Sequence, residues 1–123
     1  MPKTTMTYFN ALSEEHADKW EVVEGTDGLV EFYTLAMDEK GDYTRLTRFK
    51  AGADTLAFGA ISHLYPEEVM IISGRMYDAS VERWLETGDY ASRAPHELHG
   101  PFRTDVDCIV LEMSYPSQSV KEK

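Results

Sequence analysis

Hydrophobic positions along the chain fall mainly into short runs with strand character. Leu29-Val30-Glu31-Phe32-Tyr33-Thr34-Leu35-Ala36-Met37 is rich in β-branched and aromatic residues. Tyr43-Thr44-Arg45-Leu46-Thr47-Arg48-Phe49 follows the turn-like Asp38-Glu39-Lys40-Gly41-Asp42, so the two runs predict a hairpin. Leu56 to Leu64 is a mixed apolar stretch that predicts a strand end at His63. Val69-Met70-Ile71-Ile72-Ser73 is a continuous apolar run, stopped by Gly74, that suits a strand buried on both sides. Arg75–Asp78, Val81–Leu85, Tyr90–Arg93, His99–Arg103 and Cys108–Tyr115 complete the set, with turns at Thr87-Gly88-Asp89 and Ala94-Pro95-His96-Glu97. One short helix is expected near Ser13–Trp20, where Ser13 can cap and Glu14 and Glu15 suit a first turn.

Strands at this spacing, with no strand–helix alternation, predict an all-β sandwich or barrel with room for one small ligand. The expected organisation is an N-terminal extension over residues 1–28, a barrel over 29–115 and a polar tail over 116–123.

Composition narrows the function classes. The chain has 123 residues, 42% of them hydrophobic, which suits one globular domain. Twelve basic against 22 acidic residues give a formal net charge of −10. That sign opposes sequence-independent nucleic-acid binding and attraction to anionic lipid, so neither nucleic acid nor membrane is an expected partner. The single cysteine, Cys108, has no partner for an internal disulfide, and Met1–Thr7 lacks the apolar stretch of a signal peptide. A reducing, cytoplasmic location is the expectation.

Chemistry centres on three side chains. Pro66 excludes a helix between His63 and Glu67, and a turn at Tyr65-Pro66 lets both aim at one point. His99 opens a later segment and joins them if the strands meet in a barrel. Two imidazoles and a carboxylate form a divalent-metal set, of the kind found in non-haem Fe(II) oxygenases and also suited to Zn, Mn or Ni. The plainer reading is a solvated His and Glu beside a turn.

With these residues in place, the chain resembles a small single-domain cupin. His63-Leu64-Tyr65-Pro66-Glu67 matches the H-x3-E of the first cupin motif, and Glu67 to Gly74 its E-x6-G. Gly88 to His99 follows the spacing of the second motif. Glu67–Asp78, Gly88–Ala91 and His99–Phe102 resemble the branch containing acetylacetone dioxygenase and the cupin half of zinc anti-sigma factors. The resemblance implies an all-β double-stranded β-helix, or jelly-roll barrel. It implies a divalent metal, Fe(II) first, on His63, Glu67 and His99. It implies dioxygenase or C–C-cleaving chemistry on a small oxygenated molecule, with isomerase and lyase chemistry also fitting the site, and a homodimer formed through outer strands, with apolar residues of Leu29–Met37 as its surface.

Departures from the motif matter. Ile61 stands where a further histidine ligand is usual, which favours an alternative: a metal-free cupin that binds a small ligand or acts as a sensor. His96 stands where glycine is usual; it is either a filler of a positive-φ turn position or an acid–base group. Tyr65 is a turn-packing residue or a substitute ligand, and His16 is expected at the surface. Strand parity places Arg103 on the same side as His99, where its fork would fix a substrate carboxylate or enolate; a surface ion pair is the plainer role. Of Arg45 and Arg48, at most one looks inward.

Overall fold

The computed structural model describes residues 1–122. Ser13 accepts a hydrogen bond from the Glu15 main chain and opens a 3-10 turn at Glu14–Lys19, where the short helix was expected. Strand β1 (Glu21–Val22) follows, then β2 (Val30–Met37) and β3 (Tyr43–Phe49). The latter two form the expected hairpin, with a register shift between Thr34 and Ala36. Beyond them lie β4 (Glu67–Ser73), β5 (Arg75–Asp78), β6 (Arg83–Glu86), β7 (Tyr90–Arg93), β8 (Phe102–Arg103) and β9 (Cys108–Ser114). All pairings are antiparallel, in a six-stranded sheet ordered β1-β2-β3-β9-β4-β7 and a three-stranded sheet ordered β6-β5-β8. The all-β jelly-roll architecture is therefore present.

Gly74 makes the step from one sheet to the other. Its φ of +74° belongs to the left-handed region, and a Cβ there would collide with the Asp107 carbonyl oxygen. The core between the sheets is built on Val30, Phe49, Ala53, Ile71, Met76, Cys108 and Val110.

Three segments differ from expectation. The stretch before His63 is not a strand: Leu56–Phe58 forms a 3-10 turn and Gly59 follows at φ +66°, leaving Ile61 one isolated bridge to His99. The expected strand from His99 shrinks to Phe102–Arg103, because Gly100 at φ +75° breaks the alternation. The segment Val81–Leu85 pairs only from Arg83, since Glu82 turns at φ +52°. Strand β4 is also less enclosed than its apolar run implies: Met70 is 39% exposed.

The N-terminal residues are tied into the barrel. Strand β1 extends the larger sheet, and Val23 and Thr26 reach its interior. Trp20 packs over the Arg48 guanidinium at 4.1 Å on the outer face. No helix among the described residues is long and apolar enough to cross a membrane.

Candidate metal centre and its cavity

Alternation along the large sheet sends one set of side chains inward in rows. The row Tyr43, Ser114, Glu67, Arg93 lies at one end, followed by Arg45, Glu112, Val69, and then Thr47, Val110, Ile71. The sheet's inner face thus runs from charged to apolar over a few residues. It borders a cavity of about 320 Å³ whose other walls come from Met76, Leu85 and Phe102 of the smaller sheet and from the loop before β4.

At the polar end three chain segments meet. Glu67 opens β4 directly after Pro66, as the turn chemistry requires. His63 stands on the preceding loop; its carbonyl accepts from the His96 main chain at 2.8 Å, and its ring stacks on Tyr65 at 4.7 Å. His99 is placed by two main-chain hydrogen bonds with Ile61, each 2.9 Å. Next to it, the fully buried Asp78 carboxylate accepts from the Gly100 main chain at 3.0 Å and from Arg93 at 3.2 Å. The result brings one donor atom each of His63, Glu67 and His99 within 4.8 Å of one another. His63 Nε2 and His99 Nε2 each lie 3.9 Å from a different Glu67 oxygen.

These separations are too long for hydrogen bonds. Two donors about 2.1 Å from one ion stand roughly 3.0–3.4 Å apart, so small side-chain rotations close the gap. Burial disfavours charge on both imidazoles: it lowers the pKa of His63, and it lowers that of His99 with help from Arg93. Neutral imidazole is the ligating form. Burial, reinforced by Glu112, pushes the Glu67 carboxyl up to about 7, and among the described residues its one hydrogen bond is from Ser114 at 3.3 Å. Among the described residues His99 Nδ1 is buried with no partner at full hydrogen-bond geometry, and the Glu97 main chain is its nearest acceptor. A buried carboxylate and two neutral rings, under-used by the protein itself, suit a divalent cation with positions left open for a ligand.

Sequence reasoning missed the groups behind this triad. Glu112 Oε1 accepts from Arg45 Nε at 2.6 Å and from the Thr47 hydroxyl. Both residues, with Arg93, line the cavity. Of the two arginines weighed on β3, Arg45 faces inward and Arg48 outward, where it pairs with Glu31 at 2.6 Å. Glu112 was legible only as one acidic position in an otherwise apolar strand.

Two expected site residues lie elsewhere. Arg103 is exposed and stacks on Tyr77 at 4.4 Å and Trp84 at 5.2 Å, outside the cavity. Gly100 and Phe102 line the cavity in place of Pro101 and Arg103, because the turn at Gly100 breaks the parity that led from His99. His96 sits at φ +71°, in the turn role, with its Nε2 3.3 Å from the Lys121 carbonyl oxygen and its ring outside the cavity. Tyr65 does not line the cavity; its hydroxyl, held by burial and by Tyr43 above its ordinary pKa, serves the packing of the turn.

Two antiparallel sheets around a cavity, with a His–Glu–His group at its polar end, define a cupin. The chain belongs to the ChrR cupin-like domain family, whose model matches residues 11–117. Solved structures agree on the fold. KdgF from Halomonas sp. is 19% identical with a TM-score of 0.70, over 91% of this chain and 94% of that one. An RmlC-like cupin from Shewanella frigidimarina is 18% identical with a TM-score of 0.70, over 94% and 95%. An acetylacetone dioxygenase from Acinetobacter johnsonii is 17% identical with a TM-score of 0.67, over 92% of this chain and 76% of that one. Comparison with curated protein sequences gives no match.

Proposed function

We propose that this cupin is a metal-dependent enzyme acting on a small oxygenated organic molecule, by dioxygenation or C–C bond cleavage. The observation that carries the reading is the convergence of His63, Glu67 and His99 at the polar end of a cavity. Fe(II) is the first choice of ion, with Zn, Mn or Ni fitting the same donors. When bound, such an ion supplies Lewis acidity and open positions for a chelating substrate or O2. The chain's residues would do the rest. Val69, Ile71, Val110 and Phe102 exclude water from the substrate body, Asp78 and Arg93 fix the His99 segment, and Glu112 holds Arg45 in place. His96 and Arg103 take no part.

The test is metal content of protein purified without a histidine tag, followed by turnover of β-diketones and aromatic ketones with added Fe(II). We expect close to one ion per chain, lost in His63→Ala and His99→Ala with near-ultraviolet circular dichroism unchanged. Metal-free protein that gains no ion from Fe(II), Zn or Mn would overturn the proposal.

One observation favours a second reading. Ile61 occupies a cavity-lining position where the cupin motif carries a further ligand. A metal-free ligand-binding or sensor module is the form that reading takes, and the same metal measurement separates the two.

The proposal extends to assembly and location. Tyr33, Leu46, Leu111, Met70 and Tyr90 are register neighbours across the outer face of the larger sheet, with Met70 and Tyr90 exposed. Leu46 is already covered by the chain itself, so the surface we assign to a homodimer is the exposed end of this row at Met70 and Tyr90. A monomer at every concentration in light scattering after size exclusion would refute it. For location the reading stays a reducing cytoplasm, on the ground that the single cysteine, Cys108, has no partner for an internal disulfide.

A further inference from the structure

Arg45 lines the cavity with its side chain still 30% exposed. Glu112 takes only its Nε, and among the described residues the two Nη groups make no hydrogen bond. Phe32 and Tyr43 support the guanidinium, whose central carbon lies 5.0 Å and 5.3 Å from their ring centres. Arg45 shares a row with Glu112 and Val69, one step inward from the row of Glu67. It lines the cavity in the row that separates the Glu67 row from the apolar row of Thr47, Val110 and Ile71.

Charge counting gives the ligand's sign. Arg45 and Glu112 cancel, as do Arg93 and Asp78. A divalent ion on Glu67 and two neutral imidazoles leaves one positive charge at the polar end. Beyond Arg45 the walls are Val30, Phe49, Ile71, Met76 and Val110, with no charged group among them. A neutral carbonyl or hydroxyl oxygen accepts an ordinary hydrogen bond from the free Nη donors, whereas an anionic oxygen meets them as a shorter and stronger charge-assisted pair.

We propose that Arg45 is the specificity-determining residue of the cavity, and that the ligand is a small monoanion, a carboxylate or enolate, with an apolar body. This rests on the metal-site reading for its charge count, but Arg45 contacts the anion with or without an ion. Glu112 acts as a positioning residue: it fixes the guanidinium through Nε and weakens its pull on the anion by partial neutralisation.

The experiment is calorimetric titration with hexanoate and, as the matched neutral probe, hexan-1-ol, on protein loaded with Zn and on protein stripped with a chelator. We expect hexanoate to bind at least tenfold tighter than the alcohol to the Zn-loaded protein, and a smaller preference to persist in the stripped form. Arg45→Gln should abolish the preference in both forms, and Glu112→Gln should strengthen hexanoate binding several-fold. Chemical-shift mapping with hexanoate on the wild-type protein should move the Arg45 side-chain Nε resonance, a readout independent of any variant's folding. Equal binding of the two probes, or a preference untouched in Arg45→Gln, would overturn the inference. If Zn fails to bind while the stripped protein keeps an Arg45-dependent preference, the metal reading falls and this one stands.

Discussion

At the scale of single residues, the triad's protonation is set by burial. The Glu67 carboxyl is shifted upward, to about 7 from an ordinary 4.5, by burial first and Glu112 second. In the metal-free protein the folded chain therefore keeps a proton that the unfolded chain loses. Its stability cost begins above the unfolded value and is complete above the folded one, between about pH 4.5 and pH 7. His63 and His99 act in the opposite sense. Their folded pKa values are depressed below 6.5, so their cost grows as pH falls below that value. The two slopes oppose each other as pH falls below 6.5, and a variant isolates one. Glu67→Gln keeps a partner for Ser114 and removes the carboxyl. Its stability relative to wild type should be greater at pH 8 than at pH 5, by on the order of 2–3 kcal/mol. Urea midpoints at the two pH values in the presence of a chelator measure this, and an unchanged difference would show that Glu67 titrates normally.

At the scale of elements, the passage from one sheet to the other turns on Gly74. Alanine there meets both a left-handed φ and the Asp107 carbonyl, so Gly74→Ala should cost more than about 2 kcal/mol. Gly88→Ala, also at positive φ but with open space around it, should cost about 1–2 kcal/mol. Thermal unfolding of the pair checks the contrast, and equal losses would mean that the Asp107 contact yields. Turns of this kind are why so much of the fold was readable. Gly41, Gly74, Gly88 and the Tyr65-Pro66 step punctuate apolar runs, and β2 to β5, β7 and β9 fall close to where those runs lie. Along β4, alternation carries Val69 and Ile71 to the cavity side with Glu67. It failed after His99, because alternation holds only while the backbone stays extended and Gly100 does not. The same failure moved the expected arginine from Arg103 to Arg45. An inward arginine on β3 was one of two options in the sequence. Its partner Glu112 lies 67 residues away, and only the pairing of β3 with β9 brings them together.

At the scale of the whole molecule, the three ligands tie distant parts of the chain to one point: the loop after Gly59, the start of β4, and the segment between β7 and β8. An ion that binds them binds the folded state and not the unfolded one, so it stabilises by mass action. At a hundredfold excess over its dissociation constant the gain is about 2.7 kcal/mol. For a domain of this size that corresponds to a rise in Tm of roughly 8–15 °C. The strongly acidic surface complicates the measurement. A net charge of −10 attracts divalent cations without a site, and that screening raises Tm as well. The two effects separate by their dependence on the ligands and on salt. Site binding should saturate near one equivalent, survive 0.5 M NaCl and vanish in a His63→Ala, His99→Ala double variant. Surface screening should rise without saturation, be matched by salt alone and be the same in wild type and variant. Differential scanning calorimetry with Zn, with Mg at equal ionic strength and with chelator covers all of these. A Zn-specific, saturable rise confined to the wild type is the expected outcome, and an identical rise in the double variant would remove the metal centre from the molecule.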